Sequence, residues 1–148
     1  MKEEAIMQAA CAYPMNTFSL NFLAIGIAVL VNLILGGIWY TPGIFGDKWA
    51  RLAGFGSMKE LNPGWWTFAA MIITGFLTSL GIALIMNYTQ CRTLWQGVLT
   101  GLFVSVLFIV PAKSSLWIFE KKFMLFVLEA GFLAASSIVM GAVIGLLQ

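Results

Sequence analysis

Histidine occurs nowhere in this 148-residue chain, and charged side chains make up only 9% of it. Without imidazole there is no histidine general base and no histidine-rich metal site. Cysteine is almost as scarce: Cys11 and Cys91 are the only two, too few and too far apart for a zinc or iron–sulfur centre. No phosphate-binding glycine loop with its lysine is present, and nothing in the pattern points to nucleic acid. An enzyme would have to work from Glu129, Asp47, lysines and hydroxyls. We therefore expect no catalytic residue, no metal and no cofactor.

What the chain has instead is apolar length. Hydrophobic residues make up 61% of it, concentrated in four runs: Leu20–Tyr40, Trp66–Met86, Leu94–Val110 and Phe123–Leu147. A helix needs about 20 residues to cross roughly 30 Å of hydrocarbon, so each run can span, the 17-residue third only just. The ten-residue polar alternation of a membrane β-barrel is not visible. The expectation is an all-α, four-helix membrane bundle over residues 15–148, preceded by a tail of residues 1–14. That tail lacks the apolar run of a secretory signal.

Charge then orients the bundle. Lys48, Arg51 and Lys59 fall in the first loop and Lys113, Lys121 and Lys122 in the third, against Lys2 and Arg92 on the opposite side. Six against two predicts that loops one and three are cytoplasmic and both termini outside, in the bacterial inner membrane. Trp39, Tyr40, Phe45, Trp49, Arg51, Trp65, Trp66 and Trp117 gather at the same interface. Indole and phenol rings favour the headgroup level, and the basic residues favour anionic lipid.

Between Gly43 and Phe55, the residues Phe45, Trp49, Leu52 and Ala53 recur at spacings of four, three and one. They share one face of a helix whose other face carries Asp47, Lys48 and Arg51, so a short amphipathic helix lying in the interface is predicted. Asp47 and Arg51 are four apart and can pair. The hexapeptide "IFGDKW" (Ile44–Trp49) is echoed by "IFEKKF" (Ile118–Phe123) 74 residues later, half the chain. With an insertion of about sixteen residues in the first half, the chain reads as two tandem helical hairpins.

These residues also carry a family likeness. "NFLAI" (Asn21–Ile25), "GGIWYTP" (Gly36–Pro42), Phe45, Gly46 and Trp49, then "EAGF" (Glu129–Phe132), Met140 and Gly141, resemble a bacterial membrane family known as domain of unknown function 1761. The likeness runs from about Met15 to the end. It implies a four-span membrane domain with no established activity. Asn32 and the tail before Met15 depart from the pattern.

Polar residues inside the spans are the candidates for function. Glu129 is the only acidic residue in a run, six residues past Phe123 and so about 9 Å into the helix. A carboxylate at that depth is costly unless a cation is near. Lys122, two turns earlier, is the expected partner, with Lys113 across the bundle as the alternative. Two readings stand beside each other: a carboxylate paired at the interface, and a proton or cation site formed with Asn32 and Lys122. Asn32 lies mid-span and wants an interhelical hydrogen bond, which Thr74, Thr78, Ser79, Ser136 or Ser137 can supply.

Small residues permit close helix contact at Gly36 and Gly37, at Gly75 with Ser79, at Gly97 with Gly101, and at Gly141 with Gly145. Some of these are expected between subunits, making a homo-oligomer. Cys11 and Cys91 share the outer side in this topology, and two unpaired thiols are expected there rather than a bridge. The leading functional expectation is a non-catalytic membrane accessory or interaction protein. The alternative is a small transporter or channel subunit using Glu129, with a membrane enzyme behind both.

Overall fold

The computed structural model describes residues 19–61, 63–90 and 92–147. The tail of residues 1–14 and both cysteines lie outside the described residues. Among the described residues, four helices are long and apolar enough to cross a membrane: Phe22–Trp39, Trp65–Tyr88, Leu94–Ile118 and Phe123–Leu147. The protein is an all-helical integral membrane protein, and the fourth span has the bounds expected from hydropathy.

The first and third spans have local start signals, and the first a local stop. Asn21 caps the first, its side-chain oxygen accepting from the Ala24 N–H at 3.1 Å. Thr93 caps the third in the same way from Gln96, and the Gln96 side chain returns to the Arg92 N–H at 3.0 Å. Pro42 and Gly43, the latter at φ 96°, turn the chain out of the first span. Backbone bonds from Phe45 to the Trp39 carbonyl and from Gly46 to the Thr41 carbonyl then fold it back. Gly46 is required there, because a Cβ would overlap the Tyr40 carbonyl.

The third span is longer than its apolar run. It was expected to end at Val110, yet helical structure continues through Pro111 to Lys113 and, after a turn at Ser114, from Ser115 to Ile118. Ser105–Ile109 form a π-helical turn in which the Val110 N–H reaches back to the Ser105 carbonyl. That wider turn lets Pro111, which has no N–H and would crowd the turn before it, sit at the start of the next helical segment. The buried Ser105 hydroxyl bonds to the Gly101 carbonyl at 2.7 Å and approaches the Ala134 carbonyl of the fourth span.

Loops one and three meet at one end of the bundle. The second loop and the ends of the described chain meet at the other, tied by Asn21 to the Leu147 carbonyl and by Asn87 to the Ser19 carbonyl. The apolar core sits toward this second end, formed by Ile25, Ala28, Ile82, Ala83, Met86, Met140 and Ile144. The fourth span packs against all three others. Outward-facing side chains such as Leu30, Ile73, Phe76, Phe103 and Leu107 are exposed, as a lipid-facing surface requires.

Small residues hold the fourth span to its neighbours. A Cβ on Gly97 would overlap the Gly141 carbonyl, one on Gly101 the Ser137 carbonyl, and one on Gly145 the Thr93 carbonyl. Gly75 lies against Asn32, Ser79 donates to the Ile25 carbonyl at 3.3 Å, and Gly36 faces Phe132. The Gly97–Gly101 and Gly141–Gly145 motifs thus meet each other within the chain. Gly37, by contrast, points into open space.

The same substitution at two of these glycines should therefore have opposite effects. Gly101→Ala forces backbones apart and is expected to cost about 1–3 kcal/mol, whereas Gly37→Ala should be neutral or stabilise by up to about 1 kcal/mol through helix propensity. Thermal unfolding in mild detergent checks both, and equal effects would contradict the assigned helix contacts.

Candidate functional site

At the end carrying loops one and three, the structure gathers one acid, one base and a cluster of rings. The first loop contains the expected amphipathic helix, Gly46–Ala53, closed by Gly54 at φ 97°. Asp47 on its outer face accepts from the Met58 N–H at 3.3 Å and so braces the return of the loop; it is not ion-paired with Arg51. The inner face carries Trp49 toward the fourth span.

Glu129 is held from two directions. The Trp49 indole N–H donates to Oε1 at 3.2 Å, and the Lys113 ammonium donates to Oε2 at 2.8 Å. The Glu129 side chain is 18% exposed and that of Lys113 40%. Lys113 thus keeps part of its hydration while the carboxylate loses most of its own. Charge-assisted bonds of this kind contribute on the order of 1–3 kcal/mol, toward the lower end here because the lysine is partly solvated.

The expected partner Lys122 is elsewhere, bonded to Glu120 at 3.1 Å. Residues 121 and 122 precede the helix, with Lys121 at φ 54°, so helical spacing does not carry Lys122 onto the Glu129 face. The helical extension of the third span beyond its π turn brings Lys113 there instead.

Aromatic rings cluster at this end, with Trp49 and Tyr40 nearest the carboxylate. Tyr40 meets Trp49 edge-on at 5.5 Å and Phe132 at 5.2 Å, and Trp39 packs against Phe45 at 4.7 Å and Phe132 at 6.0 Å. Contacts of this geometry add about 0.5–1.5 kcal/mol each beyond area burial. Tyr40 lies just past the end of the first span. Burial, reinforced by the Glu129 carboxylate, pushes its hydroxyl up to about 12, so it remains a neutral phenol across the physiological range. The Trp39 indole nitrogen is buried without a hydrogen-bond partner among the described residues.

The residues expected to anchor the interface therefore divide. Trp39, Tyr40, Phe45 and Trp49 are partly buried and turned onto the bundle, while Arg51, Trp65, Trp66 and Trp117 are exposed. Trp65 and Trp66 stack on each other at 3.7 Å between ring centres.

Asn32 belongs to a different place. Its Oδ1 accepts from the Ser136 hydroxyl, seven residues beyond Glu129 and so about 10 Å further along the fourth span. Glu129, Asn32 and Lys122 do not form one site. Asn32 and Ser136 instead line a cavity of about 100 Å³ at the junction of the first, second and fourth spans. No cluster of metal-ligating side chains occurs among the described residues. Sequence reasoning missed the Trp49 contact, for which the only signal was the inward register of Trp49 on the amphipathic helix.

Comparison with known families bears on this end of the molecule. A family model described as a protein of unknown function, DUF1761, matches residues 23–145. The chain belongs to this family. The matched region contains Trp49, Lys113 and Glu129, so the whole clasp of this DUF1761 protein lies within the family domain. No curated protein and no solved structure matches the chain.

Removing either partner of the clasp should loosen this end of the DUF1761 bundle. Lys113→Met and Glu129→Gln are each expected to lower the unfolding midpoint in detergent by a few degrees, and the double variant by less than their sum. Strict additivity would mean that the two side chains do not interact.

Proposed function

We propose that this DUF1761 protein is a non-catalytic membrane accessory protein that holds a basic, aromatic face at one surface of the bilayer and contacts anionic headgroups there. The supporting observation is the Glu129 clasp. It spends the one acidic side chain of the fourth span on internal donors from the third span and the loop helix. The loop helix is thereby fixed with Lys48 and Arg51 outward, both exposed.

Charge at this end favours the same reading. Once Lys113 is paired with Glu129 and Lys122 with Glu120, the cations Lys48, Arg51, Lys59 and Lys121 stand against only Asp47 and Glu60. Exposed Trp65, Trp66 and Trp117 supply rings suited to the headgroup level. The positive-inside bias makes this the cytoplasmic face of a bacterial plasma membrane, with the termini outside. A transporter that used Glu129 as a cation or proton site would have to displace both internal donors in every cycle, which weighs toward the structural role.

Each basic residue near an anionic surface is worth about 1 kcal/mol, or roughly fivefold in affinity. Replacing Lys48, Arg51 and Lys59 together with glutamine should therefore abolish salt-sensitive retention of phosphatidylglycerol by the purified protein, read by native mass spectrometry. Retention equal to that of the unaltered protein would overturn the proposal. Sidedness is checked separately by labelling Lys59→Cys and Arg92→Cys variants, in a cysteine-free background, with an impermeant maleimide on intact cells. Only Arg92→Cys is expected to react.

A further inference from the structure

A cavity of about 100 Å³ lies between the first, second and fourth spans. It lies at mid-membrane depth: Asn32 is about 15 Å from the start of its helix, and Thr74 about 14 Å from the start of its own. Its wall is mainly apolar, from Leu33, Met71, Phe132 and Met140 among others, and carries the polar side chains of Asn32, Thr74, Thr78 and Ser136. Thr74 and Met71 also belong to the exposed surface of the second span, beside the lipid-facing Ile72 and Ile73, so access is from hydrocarbon.

The hydrogen-bond inventory defines what can enter. Thr74 donates its hydroxyl proton to the Ala70 carbonyl at 2.9 Å, Thr78 to the Thr74 carbonyl at 2.9 Å, and Ser136 to the Asn32 amide oxygen. Every one of those hydroxyl protons is used inside the protein. The Asn32 amide nitrogen is different: it sits over the backbone of Gly75, where a Cβ would come within 2.8 Å of it. It donates to no partner among the described residues. A donor left open in hydrocarbon selects for an acceptor oxygen, and the lack of any charged group in the wall selects against an ion.

We propose that this cavity binds the polar end of an uncharged lipophile that carries a carbonyl group, its oxygen accepting from the Asn32 amide and its chain remaining in the bilayer. Size sets the limit. A cavity of about 150 Å³ takes a benzene ring, so about 100 Å³ admits a small carbonyl end and not a headgroup. Phospholipid esters lie at the interface rather than at this depth, which leaves ketone-type carbonyls of membrane-soluble molecules. The proposal is independent of the clasp and of headgroup binding.

The full chain in nanodiscs, titrated with a long-chain methyl ketone labelled with carbon-13 at the carbonyl, tests this. A saturable, hydrogen-bonded carbonyl population is expected, visible as a lowered infrared carbonyl stretch, reaching one per chain and not displaced by an alkane of equal length. Asn32→Leu should weaken it roughly tenfold, the loss of about one hydrogen bond. Should that variant not fold, Thr74→Phe, which narrows the mouth from an exposed position, is expected to reduce occupancy with the amide intact. Absence of a saturable shifted population in the unaltered protein, equal competition by the alkane, or an unchanged signal in folded Asn32→Leu would each overturn the assignment.

Discussion

A carboxylate placed about 9 Å inside a membrane helix has to be neutralised or hydrogen-bonded, and Glu129 meets that constraint by recruiting two distant parts of the chain. Lys113 comes from the far end of the third span and Trp49 from the helix of the first loop. The acid therefore acts as an organiser: the loop helix has a fixed seat on the fourth span because an indole N–H is needed there. Tyr40 packs on Trp49 and Phe132 beside these bonds, and the low exposure of the carboxylate strengthens them.

Backbone geometry in the third span serves the same constraint. A π turn carries one residue more than an α turn and so rotates everything beyond it by about 100°. Lys113 lies beyond the turn at Ser105–Ile109, and its direction toward Glu129 depends on that rotation. The other end of the bundle is built differently, from Ile25, Ile82, Met86, Met140 and Ile144 packed without charge. In lipid such packing works through close contact rather than water exclusion, which is why glycine meets glycine where the third and fourth spans cross. One end is thus held by close fit and the other by polar bonds, with the small, largely apolar cavity between them.

Much of the fold is legible in the residues themselves, because each span is a long apolar run bounded by polar or turn-forming residues. The third is the exception: Pro111, Lys113 and Ser114 end its apolar run, whereas its hydrogen bonding continues through the π turn. Composition reads solubility in lipid and not the ladder of backbone bonds. Glu129 stands out in the sequence as the lone acid of a span, but its partner follows from tertiary geometry. Helical spacing favours Lys122, and that residue lies outside the helix. Trp49 looks like a lipid anchor because indoles usually are; a bond spanning 80 residues of sequence leaves no local trace. The glycine motifs show in the sequence as surfaces for close approach without saying that the approaching helix belongs to the same chain.

The most direct test of this account is hydrogen exchange at the Trp49 indole, followed by nitrogen-15 NMR of tryptophan-labelled protein in nanodiscs. If Glu129 organises this end of the bundle, the Trp49 indole proton exchanges much more slowly than those of the exposed Trp65 and Trp66, and its resonance shifts and loses protection in Glu129→Gln. Exchange as fast as at Trp65 and Trp66, unaffected by Glu129→Gln, would show that the loop helix is not seated on the carboxylate and would contradict the account.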